Sequence, residues 1–243
     1  GYDYSRTFVL TAPDLSKYEL VVTVPSSLYD YYQAKSHSIS SWSDYAKLVT
    51  PYPLAPIASE LKTIYKSDEE FANGVLSILH YLTYRERAPS YPMETLVDGW
   101  GDCDSLSYLA ASILKAGGVD VILLVWKDIK HMNLGVCLRY SPAAPSLFVC
   151  YYTYQGNRYY VTECTGTDWY VGQIPERLAL ERAVIIDTGS CEMWSPSRVS
   201  ATLSLKQRSS LTERAMSMAW SLISDVLQAL IWLFKTLLKF LSF

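Results

Sequence analysis

The chain has 243 residues, half of them hydrophobic, and a formal net charge of −3. This length and composition allow one large domain with a substantial core, or one domain with an appendage. The slightly negative charge gives no electrostatic reason to expect nucleic acid as a partner. Three histidines, without CxxC or HxxxH spacing, argue against a structural zinc site.

Residues 1–98 predict two short strands followed by helices. The strands are expected at 7–10 and 18–24, and the helices at 40–49, 56–66 and 68 to about 84. The last helix has a defined start, because Ser67 and Glu70 have the S-x-x-E spacing of a capping box. Residues 85–92 are expected to form a loop.

The stretch DGWGDCDSLSYLAASIL, residues 98–114, passes from a glycine-rich turn into a helix that carries a cysteine. Asp102 is expected to cap this helix, Cys103 to be its first residue, and Gly117 and Gly118 to end it. Strands are then expected at 119–126, 131–138, 147–154, 158–164 and 182–187, with a hairpin turn at 155–157. Helices followed by an antiparallel meander predict an α+β fold, with the helices on one side of the sheet.

The C-terminal part differs in kind from the rest. Residues 195–210 are polar and serine-rich and predict a linker, and residues 211–243 predict a helix without Pro or Gly. Its polar residues recur at steps of three, four and seven, so they form one narrow stripe on an otherwise apolar surface. We expect membrane association, either spanning the bilayer with the stripe facing a partner or lying in the interface. Asp225 and Gln228 at mid-helix argue against a lone span surrounded by lipid, and a self-associating helix is the alternative.

Cys103 is the first candidate for chemistry. A cysteine is a useful nucleophile only as a thiolate, and the positive end of a helix dipole lowers the pKa of a thiol. Gly99 and Gly101 would leave room for a substrate backbone. Against this, Asp102 and Asp104 flank the thiol and oppose thiolate formation, and free cysteines are often small buried side chains. The stretch alone leaves both interpretations open.

A cysteine nucleophile needs a base, normally histidine, and an acid that orients it. His131 opens the strand HMNLGV and can face the helix that begins with Cys103. Glu163 ends the strand YYVTE, where a carboxylate is unusual without a partner, so we expect it to bind His131. Asp168 is the reserve acid, and a surface charge is the alternative for Glu163. Of the other two histidines, His37 is expected to be a surface residue and His80 a packing residue.

Three blocks carry a resemblance to a known family. They are ETLVDGWGDCDSLSYLAASILKAGGVDVILLVW (94–126), HMNLGV (131–136) and YYVTECTGTDWYVGQIPE (159–176). Together they resemble the transglutaminase-like superfamily, particularly its archaeal branch with a GDC helix, an HM-x-x-GV strand and an E-x-TG strand. The match covers roughly residues 65–178, and VPSSLYDYY (24–32) extends it towards the N-terminus.

The resemblance implies a papain-like core, in which a cysteine-bearing helix packs on an antiparallel sheet that carries the histidine and the acid. It implies Cys103 as nucleophile, His131 as base and Glu163 as orienting acid in acyl transfer through a thioester, to water or to an amine. It implies a protein or peptide substrate and no required cofactor. Calcium regulates some members of the superfamily, but this sequence contains no dedicated Asp/Asn-rich loop, so we expect no metal site. Many members have Asp in place of Glu163 and an aromatic residue in place of Met132.

The other cysteines permit a disulfide prediction. The strands on either side of RYSPAAPS would form a hairpin with Cys137 opposite Cys150. Cys164 and Cys191 could then pair, leaving Cys103 as the free thiol. That pattern suits an extracytoplasmic location or a thermophile, although buried free cysteines explain the same count. The polar opening GYDYSR predicts no export signal within this numbering.

The sequence thus predicts a transglutaminase-like domain over 1–194, divided into N-terminal elements (1–98) and a catalytic core (99–194). A linker (195–210) and a membrane-associating or assembly helix (211–243) follow. We expect a membrane-associated cysteine acyltransferase or peptidase. The alternative is a non-catalytic accessory module, whose cleft or Tyr-rich surface binds a partner in a membrane complex.

Overall fold

The structure, a computed structural model, describes residues 2–143, 149–179 and 181–241. The chain has a mixed α/β fold with antiparallel sheets and a long apolar C-terminal helix. The strands are β1 (Tyr4–Thr11), β2 (Lys17–Val24), β3 (Thr83–Tyr84), β4 (Trp100–Gly101), β5 (Val121–Trp126), β6 (His131–Cys137), β7 (Tyr151–Tyr154), β8 (Asn157–Thr162), β9 (Val184–Asp187) and β10 (Ser200–Gln207). The α-helices are α1 (Ser26–Ala34), α2 (Asp44–Lys47), α3 (Ala55–Ile64), α4 (Asp68–Leu79), α5 (Pro92–Asp98), α6 (Cys103–Ala116), α7 (Glu176–Ala179) and α8 (Leu211–Leu241).

A three-stranded sheet in the order β1-β2-β10 forms one side of the core. Both outer strands run antiparallel to β2, so β10 runs in the same direction as β1. Helices α3, α4 and α5 pack against this sheet. The predicted linker is therefore wrong over residues 200–207. This stretch alternates half-buried and exposed residues, and the β2 edge supplies backbone partners for it that a local sequence window does not contain.

A second, five-stranded sheet has the order β7-β8-β6-β5-β9, with every neighbouring pair antiparallel. Its strand β5 is buried on both faces, because residues 121, 123 and 125 join the main core while 122, 124 and 126 join a second apolar cluster. Helix α6 packs against β5 and β6. This packing brings the cysteine-bearing helix onto the sheet, as the α+β prediction required.

The five predicted strands of this sheet exist, although residues 147–148 of the third lie outside the described residues. The predicted hairpin between β6 and β7 is wrong, because β8 lies between them. Strand β8 forms its tight turn with β7 instead, through Gln155 and Gly156 at φ of 47° and 80°. Cys137 and Cys150 are consequently not paired, and all five cysteines are free thiols in the structure.

Local signals explain the helices. The capping box is confirmed, since Glu70 donates its backbone N–H to Ser67 Oγ at 3.1 Å and accepts that of Ser67 at 3.0 Å. Helix α4 ends at residue 79, before the predicted end near 84, and the predicted helix 40–49 is reduced to α2. Helix α5 was not predicted from the sequence, although Pro92 stands in its first turn and Gly99 ends it at φ 78°.

Helix α8 confirms the helix predicted from residue 211, and its predicted last residues, 242–243, lie outside the described residues. The segment Leu211–Phe234 contains an 18-residue window with a mean hydropathy of 1.4 and is long and apolar enough to cross a membrane. None of its most apolar window is buried against the rest of the chain.

Truncation tests whether β10 belongs to the fold. A chain ending at Ser210 lacks only α8 and is expected to keep the melting temperature of the folded domain. A chain ending at Arg198 also lacks β10, so it exposes the β2 edge and the apolar side chains that Ala201 and Leu203 partly cover. We expect its melting temperature, followed by circular dichroism, to fall by 10 °C or more, on the order of 3–5 kcal/mol for a domain of this size. Equal melting temperatures would show that residues 199–210 are a linker after all.

Candidate active site

Helix α6 begins at Cys103, as predicted. Asp102 caps the helix, because its carboxylate accepts the Ser105 backbone N–H at 3.0 Å and the Ser105 hydroxyl at 2.7 Å. Cys103 is therefore the first residue of a 14-residue helix, at the positive end of its dipole. The side chain is 7% exposed.

The glycines before Cys103 serve packing rather than substrate access. A Cβ on Gly99 would collide with the Arg6 guanidinium, which donates to the carbonyls of Leu96 and Val97. A Cβ on Gly101 would lie 2.8 Å from the Ser105 Cβ. The expectation that these glycines leave room for a substrate backbone is therefore wrong.

The start of α6 is fixed to β6 at Met132. The Ser107 hydroxyl, one turn along α6 from Cys103, donates to the Met132 carbonyl at 3.3 Å. The Met132 N–H lies within hydrogen-bonding reach of the Cys103 sulfur, where it favours the thiolate. One strand residue thus positions two residues of the helix.

His131 and Glu163 form a buried pair. His131 Nε2 lies 3.0 Å from Glu163 Oε2, and the two residues are 8% and 2% exposed. The His131 ring also packs beside Trp126, with 6.3 Å between ring centroids. Burial alone would raise the pKa of Glu163, but the hydrogen bond and positive charge of His131 hold it below its usual value. Glu163 is therefore an ionised acceptor and not a surface charge.

Two further residues hold Glu163 in place. Asn133 Nδ2 donates to Oε2 at 2.9 Å, while the backbone N–H and the hydroxyl of Thr165 donate to Oε1 at 2.8 and 2.6 Å. Neither residue was predicted from the sequence. Asn133 could have been found because it stands two residues from His131 on one strand and so shares its face. Thr165 stands two residues after the carboxylate, a spacing typical of local side-chain to backbone hydrogen bonds.

The Cys103 thiol donates to Asp104 Oδ1 at 3.3 Å. Among the described residues it makes no hydrogen bond to His131. Burial, and after it the charge of Asp104, raises the pKa of Cys103 to about 12. Burial raises the pKa of Asp104. The charge of His131 acts in the opposite direction and favours the ionised form of Asp104. The structure therefore brings Cys103, Asp104 and His131 into one neighbourhood, with the cysteine protonated.

The tautomer of His131 follows from these contacts. Nε2 is engaged by Glu163, and in the described part of the chain Nδ1 makes no hydrogen bond. A neutral His131 that donates from Nε2 carries its lone pair on Nδ1, which is the acceptor that a nearby thiol requires.

The other candidate residues lie outside this group. Asp168 is exposed and accepts from the Thr167 hydroxyl at 3.3 Å, so the reserve acid plays no part in the pair. His37 is half-buried and contacts Glu94 Oε2 at 2.7 Å, which corrects the expectation of a free surface residue. His80 lies at the end of α4, half-buried, as expected of a packing residue.

Two aromatic residues, Tyr84 and Trp100, lie on the paired strands β3 and β4, the second of which leads into Cys103. The Trp100 ring contacts two arginine side chains. The guanidinium carbon of Arg85 lies 5.0 Å from the ring centroid and that of Arg87 lies 4.2 Å from it. Tyr84, on β3 beside β4, is 52% exposed. The pKa of its hydroxyl is raised, mainly by partial burial and to a smaller extent by the charge of Cys103. Tyr84 thus forms an accessible edge of the site that the sequence did not indicate.

No cluster of three or more His, Cys, Asp or Glu side chains suited to a metal ion occurs among residues 2–143, 149–179 and 181–241.

The chain matches no protein-family model and no curated protein. Among solved structures, it is similar to a candidate cysteine protease from Cytophaga hutchinsonii, with 10% identity and a TM-score of 0.34. The similar region covers 80% of this chain and 65% of that protein. A TM-score this low does not establish a shared fold, so the site rests on its own geometry.

Replacing Asp104 tests what keeps the thiol protonated. Asp104→Asn removes the negative charge 3.3 Å from the sulfur, so the pKa of Cys103 should fall. A fall of about one unit gives about tenfold more thiolate at a given pH near 8. The readout is the rate of Cys103 alkylation by iodoacetamide, followed by peptide mass spectrometry, with Asp168→Asn as the matched control. An unchanged or slower rate in Asp104→Asn would contradict this role.

Proposed function

We propose that the chain is a transglutaminase-like cysteine acyltransferase or peptidase, with Cys103 as nucleophile, His131 as base and Glu163 as the orienting acid. The observation that carries the proposal is the buried His131–Glu163 pair at 3.0 Å, in which Nδ1 makes no hydrogen bond within the described residues. Burying an ionised carboxylate beside a histidine costs desolvation free energy. A catalytic role for the histidine would explain why the chain keeps such a pair.

The reaction would proceed in two halves. The Cys103 thiol gives its proton to His131 Nδ1 as the sulfur attacks a carboxamide or peptide carbonyl and the S–C bond forms. The C–N bond then breaks, and the proton on His131 passes to the leaving amine. Water or a second amine attacks the resulting thioester, loses a proton through His131, and releases the thiol. Glu163 fixes the ring and stabilises its positive form throughout.

The start of α6 would stabilise the tetrahedral intermediate. The backbone N–H of Cys103 belongs to the unpaired first turn of the helix, so it can donate to the oxyanion that forms next to the sulfur. The Cys103 thiol must leave Asp104 for His131 before it reacts. Substrate entering beside Tyr84 would displace the thiol from Asp104 Oδ1 and so expose it to the base.

The fold supports the papain-like interpretation of the sequence. A cysteine-bearing helix packs on an antiparallel sheet, the histidine opens β6, and the acid directly follows β8. The same order of cysteine, histidine and acid carried the resemblance to transglutaminase-like proteins. The archaeal branch remains an expectation from the motifs.

We further propose that α8 holds this domain at a membrane or against a membrane protein. Among the described residues, none of the apolar window within Leu211–Phe234 is buried, and exposed apolar surface of this extent is typical of membrane or protein contacts. An extracytoplasmic location remains part of the proposal. The substrate would be a protein or peptide.

Acylation by p-nitrophenyl acetate tests the proposed roles without a known substrate. Wild-type chain should release p-nitrophenol and carry an acetyl group on Cys103, found by peptide mass spectrometry. Cys103→Ala should abolish this adduct, and Glu163→Gln should slow its formation at least tenfold, because general base catalysis contributes about 10²–10⁴-fold.

Asp168→Asn is the matched acid control, since Asp168 is exposed and outside the pair. Its rate should equal that of the wild-type chain. Acetylation of a different residue, or equal rates for Glu163→Gln and wild type, would contradict the proposed triad and favour the accessory module.

A further inference from the structure

Helix α8 is attached to one end of the three-stranded sheet. Only residues 208–210 separate β10 from α8. Arg214, in the first turns of the helix, donates from Nε to Ser209 Oγ at 2.7 Å and approaches Asp14 Oδ2 at 3.6 Å. Ser209 in turn bonds Ser16 across the β1–β2 turn, where its backbone N–H lies 3.2 Å from Ser16 Oγ. We call this end, formed by residues 12–17 and 208–214, the anchor end.

The candidate active site lies at the opposite end of the same sheet. Near the beginning of β1, Arg6 donates to the Val97 carbonyl at 2.8 Å and packs on Gly99. Gly99 leads through β4 directly into Cys103. We call this end, formed by residues 4–6, 83–87 and 97–103, the cleft end.

Two elements measure the separation of the ends. Along β1, the five steps from Arg6 to Thr11 span about 17 Å at about 3.4 Å per residue. Helix α6 gives a second value, since its 14 residues span about 20 Å. The end of α6 lies on the anchor side. Lys62 donates to the Gly117 carbonyl, just after α6 ends. Three residues along the chain, the Tyr65 hydroxyl donates to the Thr11 carbonyl at 3.0 Å.

We infer that the membrane-bound chain stands upright on the bilayer, so that the cleft end lies about 20 Å from the surface and beyond the lipid headgroups. The inference rests on the proposed function, since it requires α8 in the membrane. The first turns of α8 are fixed to the anchor end, so that end must lie at the surface. The two ordered elements between the ends then keep Cys103 away from the lipid.

Energy transfer from a donor dye at one of two positions to an acceptor in the bilayer measures this height without any substrate. An azide-bearing amino acid is introduced at exposed Glu86, in the cleft end, or at exposed Lys17, in the anchor end, and coupled to one dye. The labelled full-length chains are bound to vesicles of phosphatidylcholine and phosphatidylglycerol that carry an energy acceptor on a lipid headgroup. We expect strong energy transfer from position 17 and weak transfer from position 86, with a difference in height of about 20 Å.

Two results would overturn the inference, and they are distinguishable. Labelled chains that bind the vesicles but transfer energy equally from both positions would place the cleft at the lipid surface and leave the proposed chemistry intact. Labelled chains that do not float with vesicles would overturn the membrane role of α8, and the inference with it. The chain ending at Ser210 is the matched control and should stay in solution.

Discussion

The candidate site depends on the point where β6 extends beyond β8. Strand β8 ends at Thr162, opposite Leu134, so the first residues of β6 have no partner from β8. Helix α6 packs against β6, and its Ser107 hydroxyl donates to the Met132 carbonyl near this point. Because the chain leaves β8 at the same point, Glu163 lies beside His131. A single offset in strand length therefore places the histidine and the acid side by side.

The acid and the thiol are held in opposite ways. Glu163 accepts from His131, Asn133 and Thr165, which compensate for the loss of water around its charge. The Cys103 sulfur is buried beside a carboxylate and stays protonated. His131 and Glu163 are thus held in a fixed arrangement, whereas the Cys103 thiol would have to leave Asp104 before it could act as the proposed nucleophile. A resting thiol of this kind also resists oxidation, since oxidation follows thiolate character and exposure.

The sequence predicted the parts of the fold whose cause is local. The capping box at Ser67, the Asp102 cap and the alternating apolar strands all act within a few residues, and the structure confirms them. The pairing of β10 with β2 joins residues nearly two hundred positions apart, and the insertion of β8 between β6 and β7 has no local signature.

The same distinction applies to the site. His131 and Glu163 were identified from their places at strand ends and from the family resemblance, and the structure brings them together. The contact of Asp104 with the thiol depends on the side-chain direction at the first turn of a helix, which residue spacing does not determine. Tyr84 reaches the site only because β3 pairs with β4, two strands of two residues each.

The central claim is that His131 and Glu163 act on Cys103 as one unit. A double-mutant cycle on the rate of Cys103 acylation, with His131→Ala, Glu163→Gln and the combined variant, tests it most directly. If Glu163 acts through His131, the combined variant should be no slower than His131→Ala alone. Losses that multiply in the combined variant would show two independent effects and contradict the account.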